Sequence, residues 1–245
     1  MRKSLFALCF ALLPVTGLAA GGGDAHLRDM TPDLHDKASL QNGMQLFVNY
    51  CMGCHSLEHQ RFARAAEDLD IPRELVEEHL IFADAQAFND QMDNAMEPAQ
   101  GESWFGAAPP DLTLVTRLRG ADWVYSYLLG FYRDPQRPTG VNNTVFPLVA
   151  MPNVLEPLQG VQQQVCGDGE HEDGGAGCHL ELVQEGAMSP DAFERAMFDL
   201  TNFLAYVGEP SRLQAQALAP KVLIFLFIFA VVAYLLKREY WRDVH

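Results

Sequence analysis

The first clear periodicity in the chain is a run of apolar side chains at helical spacing, just ahead of a pair of cysteines. These side chains lie three or four positions apart and are Leu40, Met44, Phe47 and Tyr50. Apolar residues at this spacing form one face of an amphipathic helix. The pattern predicts a helix from about Ser39 to Cys51.

A second amphipathic helix is predicted at 121–135, where it stops at Pro135 because proline cannot continue a helix. The stretch 67–102 is biased toward helix and strongly acidic, with eleven Asp or Glu against Arg73 alone. The Gly-rich, acidic stretch 165–189 resembles an inserted loop with no core of its own. We find no strand-rich alternation and no internal repeat in the sequence.

The last helix before the C-terminal apolar run is predicted to begin with Ser189 as its N-cap and Pro190 in its first turn. Its apolar stripe consists of Phe193, Met197, Leu200, Leu204 and Val207. A stripe of this kind is usually core, and we expect it to pack on the first helix near Gly43 and Phe47.

The N-terminal segment 1–20 is predicted to be a secretory signal peptide. Its basic start, Arg2 and Lys3, precedes a short apolar run and then small residues, with cleavage after Ala19 or Ala20. An apolar run this short does not span a bilayer. We therefore expect a bacterial protein whose bulk is exported.

A transmembrane helix is predicted at 215–237, because 222–236 contains no charge and the apolar run is long enough for a bilayer core. Basic residues follow this run and are Lys237, Arg238 and Arg242. Basic flanks favour the cytoplasm. The expected layout is a periplasmic domain at 21–214, one span of the inner membrane, and a cytoplasmic tail at 238–245.

The charge of the chain is unevenly distributed. The whole chain carries −15, while 1–20 and 221–245 each carry +2, so the exported part 21–220 carries −19. This excess argues against a nucleic-acid partner. It suits a basic protein partner, although a solvated acidic surface also accounts for it.

The candidate functional residues of the sequence are a pair of cysteines and the histidine that follows them. Cys51 and Cys54 stand three apart and His55 follows at once, which is compatible with a redox dithiol, half a zinc site or a c-type haem attachment. The flanks are helical, whereas a thioredoxin-like dithiol follows a strand. The other pair, Cys166 and Cys178, is spaced too loosely for a zinc template. With an export signal, the pattern favours covalent haem.

A haem held by one histidine needs a second axial ligand or an open site. Met151 lies in an apolar loop stiffened by Pro147 and Pro152, where a rigid backbone can hold a thioether against iron. The alternative is that Met151 only fills the core.

A set of segments in a fixed order resembles the cytochrome c1 family, the haem subunits of the cytochrome bc1 complex, ubiquinol–cytochrome c reductase. The segments are Cys51-x-x-Cys54-His55, 106–120, 122–132, 146–152, 203–212 and the single C-terminal span. The resemblance implies an all-α c-type cytochrome domain with insertions plus one C-terminal transmembrane helix. The stretch 165–189 departs from the family pattern.

The resemblance also implies the roles of individual residues. Cys51 and Cys54 would hold one covalent haem c, with His55 and Met151 as the axial ligands of its iron. Arg119 matches an arginine that pairs with a haem propionate, with Arg117 as the near alternative. Pro109 and Pro110 match a loop beside the proximal histidine, and a backbone carbonyl there would accept the His55 Nδ1–H.

The implied function is electron transfer from an iron–sulfur (Rieske) subunit to a soluble cytochrome c, in a dimeric complex that contains cytochrome b. One alternative is a membrane-tethered cytochrome c that serves a terminal oxidase. A second is a haem peroxidase with an open iron.

Cys166 and Cys178 are predicted to form a disulfide, because both reach an oxidising space and the glycines between them let the loop close. The alternative is a metal site that adds His171 and His179 to the two thiols.

Overall fold

The computed structural model describes residues 27–170 and 176–242. The predicted signal peptide at 1–20 and the loop residue His171 lie outside the described residues. The elements, in chain order, are helix α1 (Lys37–Leu46), a π-helical turn (Phe47–Cys51), strand β1 (Leu57–Arg61), α2 (Phe62–Asp68), α3 (Arg73–His79), β2 (Gln91–Met92), α4 (Pro98–Phe105), α5 (Val115–Arg119), α6 (Ala121–Leu129), β3 (Phe131–Arg133), β4 (Val141–Asn143), α7 (Glu156–Gln159), β5 (Gly160–Glu170), β6 (Ala176–Glu185), α8 (Pro190–Gly208) and α9 (Arg212–Tyr240).

The expectation of an all-α domain is wrong. About half of the chain is helical, but 14% is strand. The described residues form three two-stranded antiparallel sheets, β1 with β2, β3 with β4 and β5 with β6. The strands of the first two sheets are five residues or shorter, too short to show the apolar alternation by which buried strands are recognised in a sequence, and the longer pair β5 and β6 is rich in Gly and polar residues.

The largest sheet is the ribbon β5–β6, which occupies most of the stretch interpreted as an inserted loop. Cys166 lies opposite Cys178 in its register, and the two are joined by a disulfide, which confirms that pairing. The bond removes both thiols from the alternative metal site. His179 instead lies 3.0 Å from the Glu181 carboxylate.

The helix predicted to reach Pro135 ends earlier, at Leu129. The N–H of Thr144 donates to the carbonyl of Gly130 at 3.0 Å and begins the pairing of β3 with β4. A Cβ on Gly130 would lie 2.5 Å from Thr144 Oγ1, so a larger residue at this position would displace the Thr144 side chain. This tertiary contact overrides the helical propensity of the segment.

The core lies where α1 crosses α8, as the apolar stripes predicted. Every residue of the α8 stripe is buried, and the rings of Phe47 and Phe203 lie 6.1 Å apart. Ser189 caps α8 by accepting the N–H of Ala192, which confirms the predicted helix start. Helix α1 begins at Lys37, is capped by the Asp36 side chain, and continues through the π-helical turn to Cys51, which confirms the predicted first helix.

Polar contacts fix how far the two helices slide along each other. The Asp199 carboxylate on α8 accepts hydrogen bonds from Ser39 Oγ and Asn42 Nδ2 on α1, both at 2.6 Å. Asn202, fully buried, donates to Ser39 Oγ at 3.1 Å. Since buried polar groups need partners, these contacts allow one register of α1 on α8.

Helix α9 packs against the core only at its start, through Leu213, and its residues from 214 onward are exposed among the described residues. Among the described residues it is the one helix long and apolar enough to cross a membrane, with a mean hydropathy of 2.4 over its best window and none of that window buried. Basic side chains, Lys237 and Arg238, lie in its last turn. The helix therefore fits the predicted membrane span.

Candidate functional site

The cysteine pair lies in a tight turn that continues directly from α1. The preceding π-helical turn is closed by the N–H of Met52, which donates to Phe47 O at 2.9 Å. The N–H groups of Cys54 and His55 both donate to the carbonyl of Cys51, at 3.0 and 2.9 Å. Both thiols and the imidazole therefore belong to one rigid turn. π-Helical turns are frequent at functional sites.

The electrostatics of this turn argue against a redox dithiol. Both cysteines are free thiols. Burial, with a smaller contribution from Cys54, raises the pKa of Cys51 to about 12, and burial also raises the pKa of Cys54. A reactive dithiol needs a lowered thiol pKa. Among the described residues there is also no group of three or more His, Cys, Asp or Glu able to hold a metal ion.

The ring of His55 is oriented by the loop after α4. Its Nδ1 lies 2.7 Å from the carbonyl oxygen of Pro110, the hydrogen bond expected for that loop. Because a carbonyl only accepts, Nδ1 carries the proton and Nε2 keeps its lone pair for a ligand bond. Burial lowers the pKa of His55, against smaller raising effects of the Pro110 hydrogen bond and the Asp111 charge. The neutral imidazole is the form that binds a metal.

The same loop is tied to the cysteine turn at several points. The N–H of Leu112 donates to Ser56 O at 3.0 Å, and Asp111 accepts the N–H of Glu58 at 2.8 Å. From the other side, Asn94 Nδ2 donates to Cys54 O at 2.8 Å. The proline loop therefore holds His55 as a fixed part of the turn.

Met151 is placed by a separate group of residues. It is partly buried against a small apolar cluster of Phe131, Val141 and Val149. The hydroxyl of Tyr127 donates a hydrogen bond to Met151 Sδ at 3.3 Å. Burial raises the pKa of Tyr127 strongly, so this hydroxyl is protonated at neutral pH. Among the described residues no hydrogen bond joins Met151 to His55.

The structure separates the two candidate arginines. The guanidinium of Arg119 lies over the ring of Trp123, 5.1 Å from its centroid, and Trp123 stacks on Tyr127. Arg117 lies on the side of α8, with its Cγ 3.3 Å from the place of a Cβ on Gly208. Arg119 is therefore the arginine connected to the Met151 group. Within 27–170 and 176–242 it forms no ion pair, which leaves its charge available to an anion.

Sequence reasoning missed the aromatic group of Trp123 and Tyr127. The two rings lie 5.1 Å apart and within 9° of parallel. The sequence could have predicted that these two rings lie together, because residues four apart on a helix share a face. The contact of Tyr127 with Met151, 24 positions further along the chain, left no local signal.

Large apolar side chains near these groups are exposed. Leu118, beside Arg119, is 80% exposed, and Leu148, close to Met151, is 68% exposed. Phe146 contacts the Trp123 ring edge-on, so the two segments meet. An exposed apolar patch marks a surface that a ligand or partner covers. With two free thiols, an available imidazole nitrogen, a thioether and an unpaired guanidinium, the donor set fits a haem and its propionates.

A turn with two free thiols and an imidazole, in the order Cys-x-x-Cys-His, defines the class of c-type cytochromes. A sequence model of the Cytochrome C1 family matches residues 28–172. The chain belongs to the cytochrome c1 family, whose members carry covalent haem c, and it is an electron-transport protein.

Named relatives extend this likeness over the full length. Cytochrome c1 from Allochromatium vinosum is 48% identical and is covered completely, as is this chain. A protein named ammonia monooxygenase gamma subunit, from Nitrosomonas europaea, is 39% identical with the same coverage. A mitochondrial cytochrome c1 haem protein of Arabidopsis thaliana is 28% identical over 85% of this chain and 66% of the relative.

Proposed function

We propose that this chain is the haem subunit of a cytochrome bc1 complex and passes electrons from the iron–sulfur (Rieske) subunit to a soluble cytochrome c. The observation that carries the proposal is the turn in which the His55 ring is fixed on Pro110 beside two free thiols. Membership of the cytochrome c1 family supports the assignment to this complex. As a subunit the chain serves ubiquinol–cytochrome c reductase, and alone it is an electron carrier.

When bound, haem c supplies one-electron exchange at its iron. Cys51 and Cys54 would hold the haem through thioether bonds, and His55 Nε2 and Met151 Sδ would bind its iron. A histidine–methionine pair gives a high potential and suits an electron carrier, whereas a peroxidase needs an open position. Arg119 would pair with a propionate of the haem.

An acidic surface beside the cysteine turn supports a basic partner. An open cleft of about 490 Å³ borders Cys54, and four carboxylates line it: Glu58, Asp93, Glu97 and Asp111. Carboxylates close to the haem attachment turn would draw a basic cytochrome c to the place where the electron leaves. The excess negative charge of the exported part agrees with such a partner and argues against nucleic acid.

The proposed layout follows from the apolar helix. Residues 21–214 form the periplasmic haem domain, 215–237 span the bacterial inner membrane beside cytochrome b, and 238–245 face the cytoplasm. Support comes from the exposed apolar surface of α9 and from the basic residues in its last turn. The whole complex is proposed to be a dimer.

Two alternative functions would use the same haem in this chain but with different partner proteins. One is a tethered shuttle to a terminal oxidase, and the other is an association with an oxygenase, as the name of the Nitrosomonas europaea relative indicates for that protein. Purifying the tagged chain from membranes in mild detergent separates them. We expect a b-type cytochrome and an iron–sulfur protein to co-purify, and the preparation to reduce added cytochrome c with a quinol. Co-purification with an oxidase or oxygenase instead would refute the proposal.

The attachment site is tested by haem staining of denatured protein. Replacing Cys51 and Cys54 together with alanine is expected to remove the stained band from the mature chain. The matched control replaces Cys166 and Cys178, which lie in the ribbon, and is expected to keep the band. A stained band of normal strength in the Cys51, Cys54 double variant contradicts the assignment.

A further inference from the structure

We propose that Tyr127 is a positioning residue for Met151 and that its hydroxyl raises the reduction potential of the haem by hydrogen bonding to the thioether. This inference rests on the proposed role of Met151 as axial ligand. The hydroxyl oxygen lies 3.3 Å from Met151 Sδ, within reach of an O–H···S hydrogen bond. Among the described residues this sulfur is the only hydrogen-bond acceptor of that hydroxyl.

The Tyr127 ring is held in place independently of Met151. Trp123 stacks on one side of it, with centroids 5.1 Å apart and planes 9° from parallel. Phe131 meets it edge-on, also at 5.1 Å. With rigid neighbours on both sides the hydroxyl is preorganised, and it loses little conformational freedom in binding the sulfur.

Asn143 joins the helix that carries Tyr127 to the loop that carries Met151. It is fully buried, and its Nδ2 donates to the carbonyl of Tyr127 at 2.8 Å. Its Oδ1 accepts the N–H groups of Val145 and Phe146, at 2.9 and 3.2 Å. One buried side chain therefore ties the backbone of Tyr127 to the start of the loop that carries Met151.

The chemical effect follows from the lone pairs of a thioether. Sulfur can direct one lone pair to iron and accept a hydrogen bond with the other. A donor at the second lone pair withdraws electron density from sulfur, and this weakens its support for ferric iron more than for ferrous iron. The potential therefore rises. One hydrogen bond shifts an equilibrium constant by about twofold to tenfold. Reduction adds one electron to the iron, and the hydroxyl keeps its proton.

The test compares two tyrosine-to-phenylalanine variants on α6, in the full-length, haem-loaded chain in detergent. Tyr127→Phe keeps the ring packing and removes only the donor to Met151. Tyr125→Phe is the matched control, because its hydroxyl bonds to Glu194, 3.2 Å away, and not to Met151. Potentiometric titration is expected to show a twofold to tenfold loss in the equilibrium constant for reduction in Tyr127→Phe alone. An unchanged potential, with the sulfur-to-iron absorption band retained, overturns the proposal.

Two further measurements separate failure of this inference from failure of the ligand assignment. Met151→Leu is expected to lose the sulfur-to-iron band and to let reduced haem bind carbon monoxide. If Met151→Leu keeps the band, the ligand assignment fails, and the Tyr127 inference fails with it. If Tyr127→Phe itself loses the band while Tyr125→Phe keeps it, the hydroxyl is needed to hold the sulfur on iron, which supports the proposal.

A measurement on the unaltered protein covers the case in which Tyr127→Phe does not fold. In the reduced, diamagnetic state, proton NMR is expected to show a hydroxyl resonance protected from exchange with solvent. That resonance should show a nuclear Overhauser effect to the methyl group of Met151. A Tyr127 hydroxyl that exchanges freely with solvent, with no such effect, overturns the proposal.

Discussion

Replacing Gly43 with alanine perturbs the crossing of α1 and α8, the contact on which the cysteine turn depends. A Cβ at this position would lie 2.1 Å from the carbonyl oxygen of Asp199 and 2.6 Å from the Cβ of Phe203. The nearer obstacle is backbone, so no rotamer change relieves it. The helices must separate, and α1 is the helix that continues into Cys51.

The magnitude follows from two opposing effects. To bring the Cβ from 2.1 Å to an ordinary contact of 3.4 Å, the helices must move apart by about 1.3 Å. Overpacking a well-packed core costs about 1–3 kcal/mol, and a backbone obstacle places this site at the upper end. Alanine in a helix recovers about 1 kcal/mol relative to glycine. The net loss in the free energy of unfolding is therefore about 2 kcal/mol.

Thermal unfolding followed by circular dichroism measures this loss. For a domain of this size, 2 kcal/mol corresponds to a fall in Tm of roughly 4–8 °C. Gln45→Ala is the matched control, since this side chain is exposed on the same helix, and its Tm is expected to match that of the wild type within about 2 °C. A Gly43→Ala protein as stable as this control would refute the close approach of the two helices.

Three further predictions concern the ribbon, the surface charge and a buried tyrosine. Replacing Cys166 and Cys178 with serine should lower the free energy of unfolding by about 3 kcal/mol in the chain-entropy model; two free thiols in the denatured, unreduced wild type would contradict the bond. Glu58→Gln should slow association with basic cytochrome c at low salt, and added salt should abolish the difference, since exposed charges are screened over about 8 Å at physiological salt. The control is Glu74→Gln, and equal stopped-flow association rates for the two variants would show that the cleft is not the docking site for cytochrome c. Burial, aided by Glu194, raises the pKa of Tyr125 to about 12. Unfolded tyrosine ionises near pH 10, so this contribution to stability is complete below about pH 10 and is lost as pH rises toward about 12. Denaturant titrations should show that the free energy of unfolding falls less with pH in Tyr125→Phe than in the wild type, and an equal fall would contradict the raised pKa.

The cysteine turn could be recognised from sequence because its chemistry is local. Cys51, Cys54 and His55 close one turn through hydrogen bonds that span three or four residues. The apolar stripes of α1 and α8 could also be recognised from the sequence, because apolar residues at helical spacing are detectable without knowing what they pack against. Gly43 and Phe47 were expected to meet α8, and both do.

The strands were missed because each depends on a partner that is distant in sequence or hidden by composition. The glycines between Cys166 and Cys178 are typical of a loop, yet the residues on either side pair with each other in β5–β6. Helix propensity favoured a helix through Phe131, but the bond from Thr144 to Gly130 ends it. Tertiary context commonly overrides propensity in this way.

By itself the sequence determined the haem motif, the apolar membrane helix, the disulfide partners and the apolar stripes of the two core helices. Each of these features depends only on residue type and on short separations along the chain. Only the tertiary structure decided which oxygen orients His55, which arginine lies with the Met151 group and which hydroxyl reaches the sulfur. Those contacts join positions 55 with 110, 119 with 123 and 127 with 151. The longer pairings depend on how helices and loops pack, and packing is a property of the whole core that no short window of sequence contains.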